Sequence, residues 1–301
     1  MSSTTVAAPS FLTFWLKQFQ SDGLAWVQSV GCFLIIYGFT ISRREKLWKV
    51  LLFHGITGLL GTLVETFYIA KKVSHPTEVW SILLGLNEIN WIINEASTVV
   101  YSVIKLEAGI SSPVVKKSIR IFLAVLFVAF AALRSNIGYL RVRDDKTMNP
   151  DIAKAHSFAF ISWGVAELVV FGMLCYNSYL HLGNRLYKVK GSVMGTLLTS
   201  SIPRLVVMAF NTFVIVFVGQ ITDPSETVSN FNTFAWLVKG TYSLILLFDL
   251  QSTKNLLIQA RDKVGHNTTS SNGKNPSTNN NGPWVANPSH YNNESRANWN
   301  A

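Results

Sequence analysis

The chain has 301 residues, 49% of them hydrophobic and 14% charged, and a mean hydropathy of +0.28. A soluble domain carries roughly a quarter charged residues, so this composition excludes an ordinary soluble globular protein. The net charge of +10 does not define a nucleic-acid binder, because the basic residues flank apolar stretches and form no basic domain of their own.

The opening MSSTTVAAPS lacks a basic n-region, so no cleavable signal peptide is expected. Within the N-terminal segment 1–22, the stretch FLTFWLKQFQ at 11–20 is too short to cross a bilayer. It is expected to form a short helix in the interface or on the mouth of the bundle. Seven apolar segments follow, at about 23–41, 47–70, 79–104, 118–139, 156–182, 191–220 and 231–251. The fourth is the marginal crossing. Its apolar core, 121–133, lies between Arg120 and Arg134, and it spans only if both side chains reach back to the interface. After the bundle, 23–253, the stretch 254–264 has one apolar and one basic side and reads as an amphipathic helix on the membrane surface. The tail, 265–301, is rich in Asn, Ser, Gly and Pro and is expected to be disordered.

Orientation follows from the basic residues near the spans. On one side lie Arg43, Arg44, Lys46, Lys49, Lys105, Lys116, Lys117, Arg120, Arg185, Lys188, Lys190, Lys254, Arg261 and Lys263. They outnumber Lys17, Lys71, Lys72, Arg134, Arg141, Arg143, Lys146 and Lys154 on the other. The excess places the N-terminus outside and the tail in the cytosol. The sequons at Asn267 and Asn293 would then face the cytosol and carry no glycan. The expected fold is an all-α membrane protein, a seven-transmembrane helix bundle in the plasma membrane or an endomembrane.

Charges inside membrane spans are costly and mark candidate sites. The third span has the densest set. At 100° per residue its polar and aromatic side chains, among them Asn87, Glu88, Trp91, Asn94, Glu95 and Thr98, share one arc, while Ile89, Ile92, Ile93, Ala96, Val99 and Val100 fill the other. His54, Gly58, Gly61, Thr62, Glu65 and Tyr68 share a face of the second span. Depth along each helix, at about 1.5 Å per residue, suggests two layers. Glu65, Glu88, Lys239 and Glu167 form the outer one, and Glu95 is expected to pair with Arg204 in the inner one. Glu65, Asn87, Glu88, Trp91, Glu167 and Lys239 are the candidates for a ligand cavity. Glu95, Arg204 and the helix-interior Pro203 are the candidates for an ion pair and a switch. The asparagines also serve as glue between helices.

The six histidines show no HxxxH or HH spacing, and neither GxSxG nor a P-loop occurs. Enzymatic function, a metal and a cofactor are therefore not expected. Seven spans, N-out and C-in, with a proline in the sixth and a surface helix after the seventh, resemble the architecture of G-protein-coupled receptors over residues 23–264. The third span ends in YSVIKLE where that family commonly has DRY, and the seventh has no NPxxY. The segment VKGTYSLILL around Lys239 is similar to the retinal-lysine helix of microbial rhodopsins. That resemblance implies a Schiff base on Lys239 with Glu88 as counterion. The leading expectation is a receptor-like protein sensing an unknown ligand through a polar cavity, with the bilayer around it and a cytosolic signalling partner at the inner loops and tail. A transporter or channel, or a non-catalytic scaffold or trafficking factor, are the alternatives.

Overall fold

The computed structural model describes residues 11–42, 46–110, 112–183, 193–221 and 225–269. Among these it contains the helices α1 (Phe11–Ser21), α2 (Gly23–Ile41), α3 (Lys46–Ser74), α4 (Ser81–Gly109), α5 (Pro113–Asp144), α6 (Pro150–Gly183), α7 (Val193–Gly219), α8 (Glu226–Gly240) and α9 (Tyr242–Thr269), and no strand. Five of them, α2, α3, α5, α6 and α7, are long and apolar enough to cross a membrane, and α8 with α9 make a sixth candidate bent by 44°. Large apolar side chains such as Phe33, Phe53, Val128, Phe213 and Phe248 stand on the outside of the bundle, where a lipid rather than an aqueous surround suits them. The chain is a multi-pass membrane protein.

Consecutive helices pack side by side from α2 to α7, then α8 and α9 pack on α7 and close the ring against α2. The helix α4 also touches α6, which places it toward the interior. We call the end where α2 begins the upper end and the opposite one the lower end.

The expected weak crossing is not the weak one. In α5 only 22% of the apolar stretch is buried, so most of that helix presents itself to lipid. Arg120 remains exposed at the lower end, bonded to Glu107 at 2.6 Å through both Nε and Nη2. Arg134 does not reach back to an interface but turns into the bundle, where it is 1% exposed. The helix that falls short of the apolar mark is α4. It carries Glu88, Glu95, Lys105 and Glu107, and the first three are buried.

The expected seventh span, 231–251, is two helices rather than one. Gly240 favours helix poorly, and Thr241 turns its hydroxyl back onto the carbonyl of Val238 at 2.6 Å, a local bond that competes with the helical ladder. The stretch 254–264 is no separate element, because α9 runs through it to Thr269. The tail from 270 and the fifth loop, 184–192, lie outside the described residues.

At the upper end α1 docks on α3. Trp15 Nε1 donates to Thr66 Oγ1 at 3.2 Å, and the rings of Phe11 and Trp15 meet Phe67 edge-on. The helices α4 and α5 approach closely through Gly85 and Gly138. A Cβ on Gly85 would stand 2.8 Å from Val142 Cγ2, and one on Gly138 would stand 3.3 Å from Glu88 Cγ. Backbone closeness of this kind lets the side chains of the two helices reach across.

Candidate functional site

The polar arc of α4 faces inward. Asn87, Glu88, Trp91, Asn94, Glu95 and Thr98 are buried, while Ile89, Ile93 and Val100 are exposed. The asparagines fasten α4 to α3: Asn87 Nδ2 donates to the carbonyl of Gly61 at 2.8 Å. Asn94 Nδ2 donates to the carbonyl of His54 at 2.8 Å, and His54 Nδ1 returns a bond to the carbonyl of Asn94 at 2.7 Å.

The carboxylates of α4 meet the guanidiniums of α5. Arg134 Nε donates to Glu95 Oε2 at 3.0 Å and Nη2 to Glu95 Oε1, a two-pronged contact, while Nη1 donates to Glu88 Oε2 at 2.8 Å. Arg141 Nη1 lies 2.9 Å from Glu88 Oε1, and Arg141 Nη2 lies 3.8 Å from Glu65. Lys239, in the last turn of α8, donates to Glu95 Oε1. Its ammonium also stands 4.3 Å from the Phe160 ring centre and 4.6 Å from that of Trp236, within the range of cation–π attraction. Three carboxylates, Glu65, Glu88 and Glu95, thus balance three cations, Arg134, Arg141 and Lys239. Burial of such charges is tolerable only because each is paired. His156 lies between the two arginines, its ring nitrogens 3.4 Å from Arg134 and 3.5 Å from Arg141.

Above this network is a cavity of about 280 Å³, lined by Glu65, Trp91, Arg134, Arg141, Trp236 and Lys239 among others. Its further lining by Asp22, Met148 and Asn232 places it at the upper end. Of the residues expected in a cavity, Glu65, Trp91 and Lys239 line it. Asn87 and Glu88 do not: Asn87 ties α4 to α3, and Glu88 stands behind its two arginines. Glu167 lies deeper, accepting from Thr212 Oγ1 at 3.2 Å and Thr98 Oγ1 at 3.4 Å. It borders a small space of about 20 Å³ shared with Glu95 and Lys239, of the order that one water occupies.

Two expected partners are corrected, one read from depth and one implied by the rhodopsin resemblance. Glu95 bonds Arg134 and Lys239, not Arg204, and the carboxylate on Lys239 is Glu95, not Glu88. Depth along an axis does not fix which neighbour a side chain faces. Arg204 meets Asp249 instead, Nε to Oδ2 at 3.1 Å, and donates to Ser102 Oγ at 3.1 Å. Lys105 shares the same Asp249 oxygen at 2.8 Å and reaches Ser201 and Thr253. This lower cluster joins α4, α7 and α9, with Pro203 inside α7 next to Arg204.

Arg134, Arg141, His156, Lys105 and Asp249 are site residues that hydropathy alone places outside the spans or near their ends. Arg134 and Arg141 are seven residues apart, two turns on one helical face with Gly138 between them. That spacing is the signal that they act together.

No known protein family, curated protein or solved structure matches the chain.

Proposed function

We propose that the chain is a receptor-like membrane protein of seven crossings, N-terminus outside, whose upper cavity takes a small polar ligand from the outer side. The count of seven takes α4 as a crossing, since its charges turn inward and its outward face is apolar. The excess of Lys and Arg on the lower side supports the orientation. The observation that carries the function is the position of Lys239. It lines the cavity, holds Glu95, and sits one residue before the glycine at the break between α8 and α9. A ligand that draws the ammonium away from Glu95 acts directly on that break. The helix α9 then carries the change downward to Asp249, which clasps Lys105 and Arg204. A ligand shifts such an equilibrium only through contacts that differ between the two states, and the exchange of Glu95 for ligand on Lys239 is such a contact. No enzymatic step is proposed.

The test replaces Lys239 by Gln, which breaks the Lys239–Glu95 contact as the ligand would. Spin labels at Lys117→Cys and Gln251→Cys, in a chain with Cys32 and Cys175 replaced by Ala, report the distance from the lower end of α5 to the turn of α9 that carries Asp249. The expected result is a second distance population in Lys239→Gln. An unchanged single distance would remove the coupling on which the receptor reading stands.

One observation favours a second reading. A helix interrupted beside a buried charge is the way transporters build ion sites at mid-membrane, and α8/α9 has that form. Proteoliposomes that move protons, dependent on Lys239 and Glu167, would select the transporter. Tight liposomes would reject proton transport.

A further inference from the structure

The lower half of the bundle has a second concavity, separate from the upper cavity. It measures about 680 Å³ and lies over α4, between α3 and α5. Its walls are almost wholly apolar: Val50 and Phe53 from α3, Val100 and Ile104 from α4, Ala124 and Phe127 from α5. Its polar groups include Lys46, Glu107 and Arg120, all at the lower ends of their helices. Lys46 is exposed, and Arg120 is bonded to Glu107. Lys49 and Lys117 are exposed at the same level, one turn or less from lining residues. The rim therefore carries an excess of positive charge over an apolar cleft.

Water cannot fill an apolar cleft within the hydrocarbon layer at reasonable cost, and a lipid chain can. A basic rim at the membrane surface selects for an anionic headgroup. We infer that this cleft is a binding site for an anionic phospholipid of the lower leaflet, its headgroup at Lys46 and Arg120 and an acyl chain lying along α4. The floor of the cleft includes Trp163 of α6. The indole Nε1 of Trp163 donates to the backbone carbonyl of Glu95 at 3.1 Å. A chain seated there ends one side chain away from the Arg134–Glu95–Lys239 network, so its presence stabilises the floor on which that network rests.

The experiment is native mass spectrometry of the full chain, released from detergent with added phosphatidylserine or phosphatidylcholine. One retained phosphatidylserine, held in preference to phosphatidylcholine, is expected. Lys46→Gln should weaken that preference about fivefold, the factor for one surface cation. Ala124→Trp and Val100→Trp, both at exposed positions, should each fill the cleft and abolish retention. Equal retention of the two lipids by the native chain would overturn the inference, as would phosphatidylserine retention unchanged in both tryptophan variants. A dimer of the native chain that the tryptophan variants dissolve would also overturn it, assigning the cleft to a second copy.

Discussion

Arg134 and Glu95 face each other in the interior of the bundle with two parallel hydrogen bonds, and Glu95 uses one of its bonded oxygens again for Lys239. The arginine is the more committed partner. It binds both Glu95 and Glu88, whereas Lys239 is bonded to Glu95 alone among these carboxylates. The two cations therefore differ in what their removal leaves behind.

Arg134→Met strips Glu95 of its two-pronged partner and takes one of the two guanidiniums from Glu88. Breaking a buried pair costs about 3–5 kcal/mol, and the variant should unfold at a clearly lower temperature in detergent. Lys239→Met leaves Glu95 in the grip of Arg134, and its loss of stability should be smaller. Thermal unfolding of the two variants side by side checks the order, and an equal or greater loss for Lys239→Met would contradict the hierarchy.

Gly85→Val should separate α4 from α5. Even a Cβ at this position comes within 2.8 Å of Val142 Cγ2, and overpacking of this kind costs about 1–3 kcal/mol. The same separation lengthens the bond from Arg134 and the ion pair from Arg141 to Glu88. A lowered unfolding temperature in Gly85→Val, with a smaller effect of Gly85→Ala, is the expected pattern.

Asp249→Asn should be costly at the lower cluster. It leaves Lys105 and Arg204 buried beside each other without their shared anion, again about 3 kcal/mol or more. Ser201→Ala removes a neutral hydroxyl from the same cluster and should cost only about 1 kcal/mol. Unfolding in detergent distinguishes a charge-centred cluster from a set of equivalent hydrogen bonds.

Asp145, in the connection after α5, sits at φ 49 in the left-handed region and accepts bonds from Tyr68 and Lys72. Burial raises its carboxyl, but the bonds from Lys72 and Tyr68 outweigh that, and the net displacement is below the ordinary 3.8. A carboxyl depressed in the folded state contributes stability above its unfolded value and loses it as the pH falls through the folded value. Asn tolerates the left-handed backbone, so Asp145→Asn isolates the charge. The variant should be less stable than the native chain at neutral pH, and the gap should close on acidification below 3.8.

Much of the bundle was legible. The 100° periodicity of α4 separates its inward from its outward residues, and the aromatic N-terminal stretch forms a helix on the bundle mouth. What escaped has two causes. The apolar run of α5 stops at Leu133, so Arg134 read as the flank of a short span. The helix continues to Asp144, and beyond the run both Arg134 and Arg141 are buried in the bundle. Hydropathy marks where a helix touches lipid, not where it ends. The partners of Glu95 and Arg204 escaped for a second reason: contact between helices depends on rotation and neighbour order, which a single chain's depth scale does not contain.

The division of charges between α4 and its partners also dictates an order of assembly. Glu95 and Glu88 precede Arg134 by 39 and 46 residues, while Glu95 precedes Lys239, and Lys105 precedes Asp249, by 144. A ribosome delivers α4 to the membrane before the cations that hold Glu88 and Glu95 in the fold, Arg134, Arg141 and Lys239, have been made. With α4 crossing as proposed, the helix can settle only as a hairpin with α5, and Lys105 remains without its carboxylate until the last helix is made. A nascent chain halted after α4 should leave that helix outside the bilayer, and one halted after α5 should bring both in together.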